Sequence, residues 1–84
     1  MWEVVFDEEA IDFLNALPKE LKERIFDKII SAKEYPFHFF ERLAGREEYK
    51  LRIGDYRIIV DLEPHNKVIR ILIIGHRKNV YQKI

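Results

Sequence analysis

The stretch Tyr49-Lys50-Leu51-Arg52-Ile53-Gly54-Asp55-Tyr56-Arg57-Ile58-Ile59-Val60 sets how the rest of this sequence is read. Apolar and polar residues alternate up to Gly54-Asp55, then alternate again, which is the period-2 pattern of a hairpin with one buried face. A two-residue loop predicts four cross-strand pairs: Ile53 with Tyr56, Arg52 with Arg57, Leu51 with Ile58 and Lys50 with Ile59. Tyr49, Leu51, Ile53, Tyr56, Ile58 and Val60 then share one face, while Lys50, Arg52 and Arg57 share the other. Opposed arginines repel by roughly a few tenths of a kcal/mol or more. An anion held between them gives that pair a reason.

Upstream, Trp2 to Phe6 reads as a short strand rich in Trp, Val and Phe. Asp7 is placed to cap a helix whose first turn carries Glu8 and Glu9. Ala10, Ile11, Leu14 and Leu17 recur at helical spacing. Pro18 stops that helix and is expected within the first turn of the next. From Glu20 to Glu34, Leu21, Ile25, Ile29 and Ala32 form an apolar stripe widened by Phe26 and Ile30. The two segments predict an antiparallel helical hairpin. Tyr35-Pro36 ends it, because a residue before proline leaves the α region. Phe37, Phe39 and Phe40 are expected to plug the gap between helices and sheet, with an exposed partner-binding patch as the alternative.

Downstream, Glu63-Pro64-His65-Asn66 makes a turn. Lys67 to Ile74 is almost continuously apolar, as in a strand covered on both faces. Gly75 is expected to break it, and His76 to Tyr81 to run out as a tail or short helix. The order is β-α-α-β-β-β. This predicts an α+β fold with an N-terminal strand, a helical hairpin and a three-stranded antiparallel meander in one twisted sheet.

The 84 residues are expected to form a single domain, with a soluble composition of 48% apolar and 36% charged residues. No apolar run reaches the roughly 20 residues needed to span a bilayer. The N-terminal residues do not read as a signal peptide, and there is no cysteine, so a cytoplasmic location is the default expectation. Formal net charge is zero, but residues 1–41 carry five Lys/Arg against ten Asp/Glu, and residues 42–84 carry ten against five. The second half therefore suits an anionic partner, or simply a basic sheet beside acidic helices.

His38, His65 and His76 are too scattered for a metal motif, and the three glycines form no phosphate-binding loop. A cationic set remains, Lys50, Arg52, Arg57 and Arg77, with Tyr81 nearby. Taken singly, the arginines also read as solvated strand charges paired with Asp61 or a glutamate, and Tyr81 as a ring capping the core.

Leu43-x-Gly45, then Tyr49 through Ile59, then Gly75-His76-Arg77-x-x-Val80-Tyr81 together resemble the RelE/ParE superfamily of toxin–antitoxin toxins. The resemblance covers nearly the whole chain and favours the RelE branch. For that branch it implies an mRNA interferase, an endoribonuclease that inhibits translation by cutting mRNA in the ribosomal A site. The nucleophile is the RNA 2′-OH, and no metal or other cofactor is implied. On this resemblance Tyr81 takes the 2′-OH proton, Arg77 acts at the leaving 5′-oxygen and Arg57 holds the scissile phosphate. Lys50 and Arg52 position the RNA backbone, and Arg46 contacts RNA from the preceding loop. Preorganised Arg and Lys donors suit a transition state that gains negative charge.

Implied partners are the ribosome, its mRNA and a cognate RelB-like antitoxin, an acidic helix-rich peptide covering the cationic face. The toxin itself is expected to be a monomer within that complex, with no membrane association. Alternatives are a ParE-like inhibitor of DNA gyrase without catalysis, or a catalytically degenerate partner-binding module. With three residues after Tyr81, the tail is expected to be weakly anchored.

Overall fold

The computed structural model describes residues 1–84. Strand β1 (Glu3–Phe6) leads into helices α1 (Glu8–Asn15) and α2 (Lys19–Ala32) and a one-turn helix α3 (Pro36–Phe39). Strands β2 (Glu41–Arg42), β3 (Tyr49–Ile53), β4 (Tyr56–Glu63) and β5 (Val68–His76) follow, and Val80–Lys83 closes the chain as a 3₁₀ turn. The strands form one sheet in the order β1-β5-β4-β3-β2.

The hairpin forms in the expected register, with Ile53 opposite Tyr56, Arg52 opposite Arg57, Leu51 opposite Ile58 and Lys50 opposite Ile59. Gly54 adopts φ +56° while Asp55 stays at negative φ, as a type II′ turn requires of its first central residue. The other antiparallel pairs are β4 with β5 and the two-residue β2 with β3. β1 lies parallel to β5, Val4 beside Ile69 and Phe6 beside Ile71. The long connection that a parallel pair needs runs through the helices and strands β2 to β4.

The main core lies between helices and sheet. Ala10 and Leu14 of α1 and Ile25, Ile29 and Ala32 of α2 pack against Ile53, Ile58, Val60, Ile69, Ile71 and Ile74. These are the positions that helical and strand periodicity select. Phe26 is the exception on the stripe; it stays partly exposed, stacked on Phe6 with centroids 6.2 Å apart.

Several local expectations give way to tertiary contacts. Asp7 holds the N-cap position, but its side chain caps nothing and lies 3.8 Å from Arg70 across the sheet. Pro18 is itself the N-cap of α2 rather than a residue of its first turn, and α2 ends at Ala32. The phenylalanines divide by role. Phe40 is buried in the main core, whereas Phe37 sits edge-on between Trp2 and Tyr49 at 5.8 and 5.9 Å. Phe39 projects outward.

Gly75 does not end β5, which runs to His76. The strand's unbroken apolar character has a specific cause. Ile59 pairs with Ile73 but Val60 with Ile71, so Leu72 is the extra residue of a β-bulge. The bulge shifts the alternation: Ile69, Ile71 and Ile74 face the main core, and Ile73 faces the opposite side. There Ile73 joins Ile59, Leu43 and Val80 in a second buried cluster. The face carrying Lys50, Arg52 and Arg57 is thus apolar in part.

Candidate active site

Five residues singled out in the sequence line one cleft: Lys50 and Arg52 from β3, Arg57 from β4, and Arg77 and Tyr81 from the segment after β5. Its volume is about 680 Å³. Sheet order dictates its shape. Because β3 and β4 are neighbours, their outward residues form the floor. Phe39 and Glu41 approach from the β2 side, while Arg77, Lys78 and Tyr81 approach from the β5 side.

The cations are largely unneutralised. Arg52 makes no ion pair, and Arg57 makes none either. One nitrogen of Arg57, Nη1, donates to the carbonyls of Gly54 at 2.9 Å and Tyr56 at 3.0 Å. Those bonds fold the side chain against the turn and leave the other guanidinium donors directed elsewhere. Lys50 and Glu41 are 3.8 Å apart, as are Arg77 and Asp55, and both carboxylates are mostly exposed. Such pairs are worth little in water. Five cations therefore face the single carboxylate of Glu41 around the cleft.

The tail is firmly seated, contrary to the expectation from its length. The Arg77 amide donates to the Asp55 carbonyl at 2.7 Å, tying the segment after β5 to the hairpin turn. The chain then folds back: the Asn79 amide donates to His76 O and the Lys78 amide to His76 Nδ1. The His76 ring packs edge-on against Tyr56 at 5.7 Å, a structural role. Val80 is fully buried beside Leu43, Ile59 and Ile73. Tyr81, next in the chain, is left 42% exposed at the cleft.

Arg46 stands apart. Its Nε and Nη2 donate to the two carboxylate oxygens of Glu48 at 3.0 and 3.1 Å, in the loop between β2 and β3. That bidentate bond holds the Glu48 carboxyl below its usual range and raises the Arg46 guanidinium. Arg46 lines a shallow hollow with Arg42 and Gly45, not the cleft. Lys78 and Phe39 also line the cleft, although the sequence marks neither as a site residue and reads Phe39 only as part of an aromatic plug or patch. Lys78 adjoins Arg77 and was legible as a further charge, whereas nothing in the order of the phenylalanines marks Phe39.

The family model for ParE toxins of type II toxin–antitoxin systems matches residues 4–81. The chain belongs to that toxin family. Solved structures agree on its RelE/ParE fold. The toxin–antitoxin complex RelBE of E. coli superposes with a TM-score of 0.78 at 21% identity, covering 90% of this chain and 96% of that one. RelBE2 of Mycobacterium tuberculosis gives 0.80 at 20% identity, covering 90% and 98%. The archaeal RelE–RelB complex of Pyrococcus horikoshii gives 0.77 at 28% identity, covering 90% and 94%. No curated protein matches the sequence. As a toxin of this family, the protein also has no helix long and apolar enough to cross a membrane.

Proposed function

We propose that this toxin is a ribosome-dependent mRNA endoribonuclease of the RelE type. The observation that carries this reading is the convergence of Lys50, Arg52, Arg57, Arg77 and Tyr81 on one cleft. In the proposed reaction the 2′-oxygen of the substrate RNA attacks the adjacent phosphorus, and the P–O5′ bond breaks. Tyr81 takes the 2′-OH proton. Arg57 holds the phosphoryl oxygens as negative charge builds, and Arg77 stabilises the leaving 5′-oxygen, which then takes its proton from solvent. Lys50 and Arg52 bind the flanking backbone. Guanidinium and ammonium donors fixed before reaction favour the crowded anionic transition state over the ground state. Arg46, neutralised by Glu48, keeps only a peripheral contact with RNA backbone.

A translating extract supplied with the toxin should yield mRNA cut within codons at the A site. The Arg57→Ala/Arg77→Ala double variant should leave the mRNA intact; unchanged cleavage would overturn the assignment of these residues.

The matching ParE family model favours a second reading, inhibition of DNA gyrase by binding alone. Intact mRNA together with accumulating gyrase-cleaved DNA would establish it. The cleft weighs against it, because a pure binder has no need of a tyrosine among five cations.

The relatives above are toxin–antitoxin complexes, which supports a cognate antitoxin here as well. An acidic segment of that partner would cover the cleft in the inhibited state. The product of an adjacent small reading frame should co-purify with the toxin, and failure to do so would count against the pairing.

A further inference from the structure

Phe39 is placed where folding does not require it. Its neighbour Phe40 is 3% exposed in the main core, yet Phe39 is 46% exposed. Apart from a perpendicular contact with the His38 ring at 4.9 Å, no aromatic side chain packs on it. It stands at the junction of two hollows. One is the cationic cleft, and the other, of about 490 Å³, lies toward α2 and is lined by Arg24, Asp27, Lys28 and Ser31. Phe39, Leu51 and Arg52 line both. An exposed aromatic ring beside unpaired cations is the combination by which proteins bind single-stranded nucleic acid: cations track phosphates and the ring stacks a base.

We propose that Phe39 is a stacking platform for one nucleobase of single-stranded RNA bound in the cleft, with the flanking phosphate on Arg52. This rests on the ribonuclease reading of the same cleft. The ring stands on the β2 side of the floor and Tyr81 on the β5 side, so a base on Phe39 lies across the cationic floor from the proposed base catalyst. The hollow beyond Phe39 offers Arg24 and Lys28, against the one carboxylate of Asp27, to the next stretch of backbone. Phe39 is thus a positioning residue: it fixes the register of the strand so that one phosphate meets Arg57.

The test is a titration of the isolated chain with a short fluorescein-labelled oligouridylate and with the same oligomer carrying one abasic residue at each position in turn. Phe39→Leu should weaken binding of the intact oligomer about fivefold to 100-fold, and Phe39→Trp should restore it. At one abasic position the difference between Phe39→Leu and the unaltered chain should vanish. The slope of log affinity against log salt should stay unchanged in Phe39→Leu, since no phosphate contact is lost, and fall by about one in Arg57→Ala. Three results would overturn the proposal. Phe39→Leu binding like the unaltered chain while Arg57→Ala binds more weakly would remove the Phe39 role alone. Equal weakening against intact and abasic oligomers would make Phe39 structural. Binding unaffected by either substitution, or absent altogether, would overturn the Phe39 proposal too, and mRNA cleavage in a translating extract would then decide separately whether the ribonuclease reading of the cleft stands.

Discussion

A Cβ built on Gly75 would lie 3.2 Å from the Cβ of Val80. Gly75 faces Arg57 across β4 and β5, so the missing side chain is the seat on which the tail rests. Val80 fills it, becomes fully buried, and holds Tyr81 at the cleft. Gly75→Ala should therefore push the tail off the sheet. Overpacking of this kind costs about 1–3 kcal/mol. On the proposed ribonuclease reading, mRNA cleavage in a translating extract should fall by more than the loss of folded protein measured by thermal melting. Val80→Ala should cost about 2 kcal/mol by deleting two buried methyl groups, with a similar loss of cleavage.

On the proposed function, the opposed arginines on the cleft floor set stability against binding. Arg52 and Arg57 are direct cross-strand partners, and neither has a carboxylate to offset the other. Arg52→Gln should raise stability by roughly a few tenths of a kcal/mol, read from urea unfolding midpoints. The same substitution should weaken RNA binding and lower the salt slope by about one, since one phosphate contact disappears. A variant with weaker binding and no gain in stability would mean that the two charges are already screened apart.

Gly54 carries the hairpin turn at φ +56°. An alanine there would enter the left-handed region at a cost of about 1–2 kcal/mol. Its Cβ would also meet Arg24 Nη2 at 3.1 Å, a flexible tip that can move away. Gly54→Ala should therefore lower the unfolding midpoint by the backbone cost, and Gly54→Asn by less, because asparagine tolerates this conformation better.

Asp61 lies on the same outer face as the cleft cations, at the end of the sheet that is rich in carboxylates. Burial raises its pKa, and repulsion from Glu48 and Glu63 adds to this against the opposing pull of Arg70. A carboxyl raised in the folded state binds its proton more tightly there than in the unfolded chain. Its contribution to stability is full below the ordinary aspartate pKa and is lost as pH rises through the raised value. At neutral pH the ionised group is thus a net cost, and Asp61→Asn should raise the melting temperature there. That advantage should shrink as pH falls into the carboxylate range. Melting curves of the two proteins at pH 7 and in acid check the sign, and a gain that grows on acidification would refute it.

The hairpin was legible in every pair, because a two-residue loop and strict alternation leave one register that buries Ile53, Ile58 and Val60 together. The helical stripe was legible for the same reason, as period fixes face. Both are local relations between residues a few positions apart. The same logic brought out Arg52 and Arg57 as an opposed pair, and hence the floor of the cleft.

What the sequence could not show depends on contacts between distant segments. The parallel seat of β1 beside β5 pairs Glu3 with Val68, residues separated by the three helices and the three other strands. Leu72 became the bulged residue because β4 and β5 must satisfy two cores at once, and alternation read along β5 alone carries no sign of it. Three phenylalanines of equal hydrophobicity received three fates, decided by the path of α3 over the sheet edge. The tail looked loose because so little chain follows Tyr81. Its anchor is Val80 in the space left by Gly75, beside Ile59 and Ile73. Local periodicity determined which residues share a face. The tertiary structure alone decided that Arg77 and Tyr81 would meet Lys50, Arg52 and Arg57, because only long-range packing brings the end of β5 back over the hairpin.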